Sequence, residues 1–393
     1  MKNSDVYWLW LASMTEASLN SKAALIEAYG TAENAFLAEP GEFFHVDGIS
    51  QRDAELFEQR DLSAADRIPE LCRKENIRIL TMDDPEYPQR LKNIYAPPYV
   101  LYVKGNLPEI DKEPIVAIVG TRRATAYGKR MSRDIGYQYA RCGGIVASGL
   151  TGGIEECAAE AVLAAGGKVI GYLGTAIPMA AGELAEKVAE KGALISEYAP
   201  ETPTQRIFFR HRNRIGAGIS AGVCAVEAPL KSGTVLFVSE ALEQGKEIFA
   251  VPGNADSEAS AGIHRFIREG ATLVTSGSQI AEELLPMFPD RLNPFHDETY
   301  RSDKAKKVID KENSDCYIDK SDVSLEGLTD VQKKIVIAVA NGSCTVDSII
   351  QETGIATPIL LSQLTILEIK KKIRKDREKG FVIPAENAGD NSN

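Results

Sequence analysis

From residue 77 onward, short apolar runs alternate with longer stretches whose hydrophobic positions recur at helical spacing. The runs at 77–81, 99–104, 115–119, 144–147, 168–173, 193–195, 222–226, 247–251 and 271–274 have the length and β-branched content of strands. Between most of them lie helical segments, for example 128–142, 155–165, 181–190 and 235–244. Such alternation predicts an α/β fold: a doubly wound, mostly parallel sheet covered by helices on both faces.

The flanks follow other patterns. Residues 1–68 consist of helical pieces punctuated by Gly30, Pro40-Gly41 and Gly48. Apolar positions Val46, Ile49, Ala54 and Leu56 around Val46-Asp47-Gly48-Ile49 resemble half of a helix-hairpin-helix, whose glycine permits a tight turn. This predicts a small helical domain of the SAM or helix-hairpin-helix kind at 1–68, ahead of the α/β domain at 69–289. Residues 290–326 are polar with mixed charge and read as a flexible linker. Helices at 328–340, 346–352 and 358–375, with a hairpin or wing at 380–383, then predict a winged-helix domain over 327–385. Lys370, Lys371, Lys372, Arg374, Lys375, Arg377 and Lys379 make its last helix basic, which suits contact with duplex DNA, contact with a protein, or plain solvation at a helix end.

Composition narrows the function. At 393 residues, with 44% hydrophobic and 26% charged residues, the chain is an ordinary globular protein of two or three domains. Its start lacks a long apolar run, so a cytoplasmic protein is expected. Six scattered cysteines without a C-x-x-C pair, and four histidines, argue against zinc and disulfides. No metal and no cofactor is expected. A net charge of −11 disfavours a protein that coats nucleic acid everywhere, so any polyanion must meet a local basic patch.

Two strand-to-helix junctions supply candidates for that patch: Val119-Gly120-Thr121-Arg122-Arg123 and Ser148-Gly149-Leu150-Thr151-Gly152-Gly153. In a doubly wound sheet such turns line the carboxyl edge, where glycines let backbone amides approach a phosphate. No G-x-x-x-x-G-K-[ST] motif occurs, and Gly216-Ala217-Gly218 lacks the third glycine of a dinucleotide fingerprint. Residues 114–133 contain no acid but hold Arg122, Arg123, Lys129, Arg130 and Arg133. Residues 202–226 likewise contain no acid but hold Arg206, Arg210, His211, Arg212 and Arg214. Together these predict one electropositive groove for a polyphosphate. Arg212-Asn213-Arg214 offers guanidinium forks for phosphates and an amide for a base edge, while Phe208 and Phe209 are either core residues or base-stacking platforms. Ser232 and Gly233 open a further helix, and Glu227 at a strand end reads as a residue that fixes a neighbouring loop.

The order of motifs resembles the DNA-processing protein A family (DprA, also called Smf). The resemblance rests on Tyr87-Pro88-Gln89-Arg90-Leu91, Pro97-Pro98, Leu101-Tyr102 with Gly105, and Ala117-Ile118-Val119-Gly120-Thr121-Arg122 with Tyr127-Gly128. It extends through Ser148-Gly149, Gly166-Gly167, Ser196-Glu197, Arg212-Asn213-Arg214-Ile215, Ala217-Gly218-Ile219-Ser220, Glu227-Ala228, Ser232-Gly233, Val251-Pro252-Gly253 and Gly270-Ala271. It implies a Rossmann-like domain that binds single-stranded DNA, pairs into a homodimer, and serves the recombinase RecA in homologous recombination and natural transformation (competence). No catalytic residue is implied. The chain departs from the family pattern Gly-Leu-Ala-Arg-Gly-Ile-Asp, then Ala-His, in having Gly152 and Ala159 in place of the arginine and histidine. His264 replaces an expected asparagine, and Arg210 stands where proline is common.

The DNA-binding residues expected on this reading are Gly120, Thr121, Arg122, Arg123, Lys129, Ser148, Gly149, Thr151, Gly152, Gly153, Arg210, Arg212, Asn213, Arg214, Ser232 and Gly233. It requires Arg122 and Arg214 to face the same rim. An alternative is a nucleotide-processing enzyme of the phosphoribohydrolase (lysine-decarboxylase-like) type, with Ser232-Gly233-Thr234 and Glu240 as its weak echo. A third reading makes the C-terminal region a duplex-binding regulator.

Overall fold

The computed structural model describes residues 4–180, 182–294, 328–340, 345–370, 372–376 and 380–382. These residues fall into two compact units, one before and one after residue 298. Most of the expected linker, 295–326, lies outside the described residues, as do Lys371, Arg377 and Lys379 of the basic tail.

In the first unit nine strands form one sheet: β1 (Arg78–Thr81), β2 (Val100–Gly105), β3 (Ile115–Val119), β4 (Ile145–Ser148), β5 (Val169–Leu173), β6 (Ala193–Ser196), β7 (Gly222–Ala225), β8 (Glu247–Ala250) and β9 (Thr272–Leu273). Their order is β1-β2-β6-β5-β4-β3-β7-β8-β9. β6 through β9 in that order run parallel, while β1 and β2 add an antiparallel edge. All nine expected strands are present within a residue or two of their expected ends. β3 is apolar throughout because both its faces are covered: Val116 and Ile118 enter one core cluster, Ile115, Ala117 and Val119 the other.

Helices α1 (Asp5–Ser13), α2 (Leu19–Tyr29), α3 (Ala32–Leu37), α4 (Gln51–Phe57) and α5 (Ser63–Lys74) precede the sheet. Ser18, Thr31 and Ser50 cap three of them by accepting a backbone N–H three residues on. Trp8, Leu11, Phe43 and Phe57 of this region belong to the same apolar cluster as Tyr99, Tyr102 and Val116 of the sheet. The α1–α5 region and the sheet therefore share a core.

The sheet's own helices are α6 (Gln89–Lys92), α7 (Ala126–Arg141), α8 (Ile154–Ala164), α9 (Glu183–Lys191), α10 (Phe208–Ile219), α11 (Gly233–Glu243), α12 (Ala261–Arg268) and α13 (Gly277–Leu284). α10 was hidden in the sequence by Gly216 and Gly218, which resemble loop residues. Both are demanded by packing: a Cβ on Gly216 would lie 2.6 Å from the Tyr172 ring, and one on Gly218 2.8 Å from Leu91.

The second unit holds α14 (Asp330–Ala340), α15 (Val346–Thr353), α16 (Thr357–Ile369) and the antiparallel pair β10 (Arg374–Asp376) and β11 (Gly380–Val382). α16 ends at Ile369, so Lys370, Lys372, Arg374 and Lys375 follow it rather than belonging to it. No helix among the described residues is long and apolar enough to cross a membrane.

Candidate nucleic-acid interface

The strand order reverses between β3 and β7, so the turns leaving their carboxyl ends diverge and open a crevice there. A cleft of about 500 Å³ occupies that place. Gly120, Thr121, Arg122 and Arg123 after β3, Thr151 and Glu155 at the start of α8, and Ser232, Gly233 and Thr234 at the start of α11 line it. Arg206, Phe209, Arg210, Arg212 and Asn213 of α10 and the segment before it form the facing wall. Residues of both glycine junctions thus line a single cleft.

They meet back to back. Gly153 has φ of 64°, and a Cβ there would sit 2.5 Å from Thr121 O and 2.6 Å from Arg122 O. Ile154 N donates to Thr121 O at 3.3 Å. A Cβ on Gly120 would fall 2.5 Å from Ile154. These glycines serve the contact between two loops as much as any approach of a ligand.

Charge is distributed unevenly over the wall. Arg122, Arg123, Arg206 and Arg210 are exposed. Arg212, in contrast, is buried, donating to Gly149 O at 2.5 Å and Tyr172 O at 3.1 Å while lying against the Tyr172 and Phe209 rings. It borders the cleft, yet its fork is used to tie the β4 turn to β5. Thr151 is similarly engaged: its hydroxyl donates to Glu155 at 2.7 Å. That keeps the carboxylate lining the cleft at the amino end of α8, where the helix dipole favours an anion.

Arg214 corrects the sequence expectation. Residues two apart on a helix point to nearly opposite sides, so α10 turns Arg214 away from Arg212 and from the cleft. Its Nη atoms donate to Glu197 at 3.0 and 2.6 Å, and its Nε to Ala96 O at 2.7 Å. It lines a separate cavity of about 30 Å³ beneath α2, with Lys22, Glu197, Tyr198, Tyr99 and His211. Burial alone would raise Glu197, but Arg214, joined by Lys22 and Tyr198, outweighs it and holds the carboxyl below its usual range. Burial likewise lowers Lys22, to about 8, against the pull of Glu197. Arg122 and Arg214 therefore do not share a rim, and the groove in the form the sequence reading required is not present; the cleft that does form draws its exposed arginines from Arg122, Arg123, Arg206 and Arg210 instead.

Other expected residues sort as follows. Ser148 and Gly149 are buried beneath the cleft, with the Ser148 hydroxyl donating to Glu155 O. Lys129 is exposed on α7 outside the cleft lining, and Gly152 takes φ of 92° in the β4 turn. Phe208 is buried and stacks on Tyr198 with centroids 3.9 Å apart, whereas Phe209 lines the cleft. Glu227 fixes a loop: it accepts from the Thr125 backbone and hydroxyl at the start of α7. Arg206 was visible only as one member of an acid-free stretch. Glu240 lies outside the cleft lining and accepts from Gln244 at 2.9 Å. Among the described residues no group of three or more His, Cys, Asp or Glu is arranged to hold a metal ion.

Comparison with known proteins agrees with this architecture. A family model described as DNA recombination-mediator protein A matches residues 78–285. DNA processing protein DprA of Bacillus subtilis is 37% identical over 58% of this chain and 78% of its own. Protein Smf of Synechocystis is 30% identical over 94% of this chain and 96% of its own. The X-ray structure of DNA processing protein A from Streptococcus pneumoniae superposes with a TM-score of 0.60 at 30% identity, covering 72% of this chain and 98% of that one.

Proposed function

Because the chain belongs to the DNA recombination-mediator protein A family, we propose that its cleft holds single-stranded DNA and that it acts by binding rather than by catalysis. The observation that carries this reading is the rim of four exposed arginines, Arg122, Arg123, Arg206 and Arg210, around the carboxyl-edge crevice. Guanidinium groups take phosphate oxygens in pairs. Between them Phe209 supplies a face for a base and Asn213 an amide for its edge. Cleft backbone amides at the start of α11 add partial positive charge.

The carboxylates argue against hydrolysis of a nucleotide. Among the described residues, Glu155 accepts from Thr151, Glu227 accepts from Thr125, and Glu240, the base the phosphoribohydrolase reading names, lies outside the cleft lining, which favours the binding reading. A mediator of recombination works by presenting DNA to a recombinase, which supports RecA as partner in the cytoplasm during transformation. A homodimer through the α/β unit, and a winged-helix role for α14–α16 with β10 and β11, belong to the same proposal.

Fluorescence anisotropy with a labelled oligothymidine tests it. Arg122→Ala and Arg210→Ala should each weaken binding about five- to tenfold, as loss of one charge-assisted phosphate contact of about 1–1.5 kcal/mol implies. Unaltered affinity in both variants would sink the cleft as the binding site.

A further inference from the structure

Tyr127 stands in the first turn of α7, just beyond the cleft arginines, and is 36% exposed. Its hydroxyl donates to Pro252 O at 2.5 Å, a tether to the loop after β8 that fixes the ring from 125 residues away. Arg130, one turn further along α7, holds its guanidinium carbon 5.7 Å from the centre of that ring. Lys129 beside it is exposed. The amino end of α7 is itself already capped by Thr125, whose hydroxyl accepts from Gly128 N at 3.1 Å, with Glu227 behind it. Recognition of a ligand here therefore rests on side chains.

We propose that a strand seated in the cleft continues over the first two turns of α7, with one base stacked against the Tyr127–Arg130 pair and its backbone neutralised by Arg123 and Lys129. This extension rests on the single-strand reading of the cleft. A phenol tethered through its hydroxyl and backed by a guanidinium over one ring face is a preorganised platform, which suits stacking of a base at small cost in side-chain entropy. The absence of any acid from residue 114 to 133 selects a polyanion over an acidic or neutral peptide face.

Oligomer length separates the two sites. Full-length protein is titrated with oligothymidines of about 4 and about 15 nucleotides, lengths that bracket a single-strand site of this kind. Tyr127→Ala should weaken the long oligomer about tenfold, as the loss of one stacked base implies, and leave the short one unchanged. Tyr127→Phe, which keeps the ring, should retain most of the affinity. Arg130→Lys, which keeps the charge but not the plane, should lose several-fold on the long oligomer alone and guards against a folding defect at Tyr127. Equal losses at both lengths, or none at either, overturn the platform. Wild-type protein that fails to hold the short oligomer overturns the cleft reading, and the extension with it.

Discussion

Arg212 and Arg214 are the same residue type two positions apart, and neither is free to meet a phosphate with its whole fork. Arg212 ties a loop to the sheet; Arg214 pairs with Glu197 under α2. Lys22 joins the second arrangement as an ammonium 6% exposed, facing Glu197, Arg214, Asp53 and His211. Its folded pKa, about 8, is below the 10.5 of a free lysine. Between those values the unfolded chain binds the proton that the folded chain lacks, so stability should rise with pH across that window and be lowest below it. Urea unfolding from pH 7 to 10.5 should show wild type gaining about 3 kcal/mol relative to Lys22→Met. Parallel pH profiles for the two proteins would refute the burial argument.

At the scale of elements, the site depends on how two turns fit together. The β3 and β4 turns touch through Gly153, whose φ of 64° and ψ of −124° suit only a residue without a side chain. Gly153→Ala should cost about 1–3 kcal/mol from backbone strain alone and lower the melting temperature, with single-strand affinity falling too as Thr121 and Arg122 are pushed aside. Thermal denaturation together with anisotropy reads both. Gly152, where the family pattern has arginine, takes a φ of 92°, which an arginine side chain disfavours. Arg206 and Arg210 on the facing wall supply positive charge to the same cleft.

For the whole molecule, a chain of net charge −11 gathers four exposed arginines on one cleft rim. Its affinity for a single strand should then fall with salt in proportion to the few phosphates that rim engages. Four cleft arginines, each releasing its share of counterion, set a slope of about −3 for log affinity against log salt. A slope of about −1 or shallower, measured on oligothymidine, would mean that the rim arginines do not meet the backbone. A general polyanion coat would give a much steeper one.

The strands, four helices of the sheet (α7, α8, α9 and α11), and the two glycine junctions were legible in the sequence because each is a local signal: apolar period, turn chemistry, or a run without acids. Even Glu227 could be read as a loop-fixing residue from its position at a strand end. α10 was not, since its glycines answer to Tyr172 and Leu91, far away along the chain. Which arginines stay free was also beyond the sequence. That choice depends on the phase of α10 and on partners such as Gly149, Ala96 and Glu197, brought near only when the strands take their order. Periodicity determines an element; long-range packing determines which of its faces is left for a ligand.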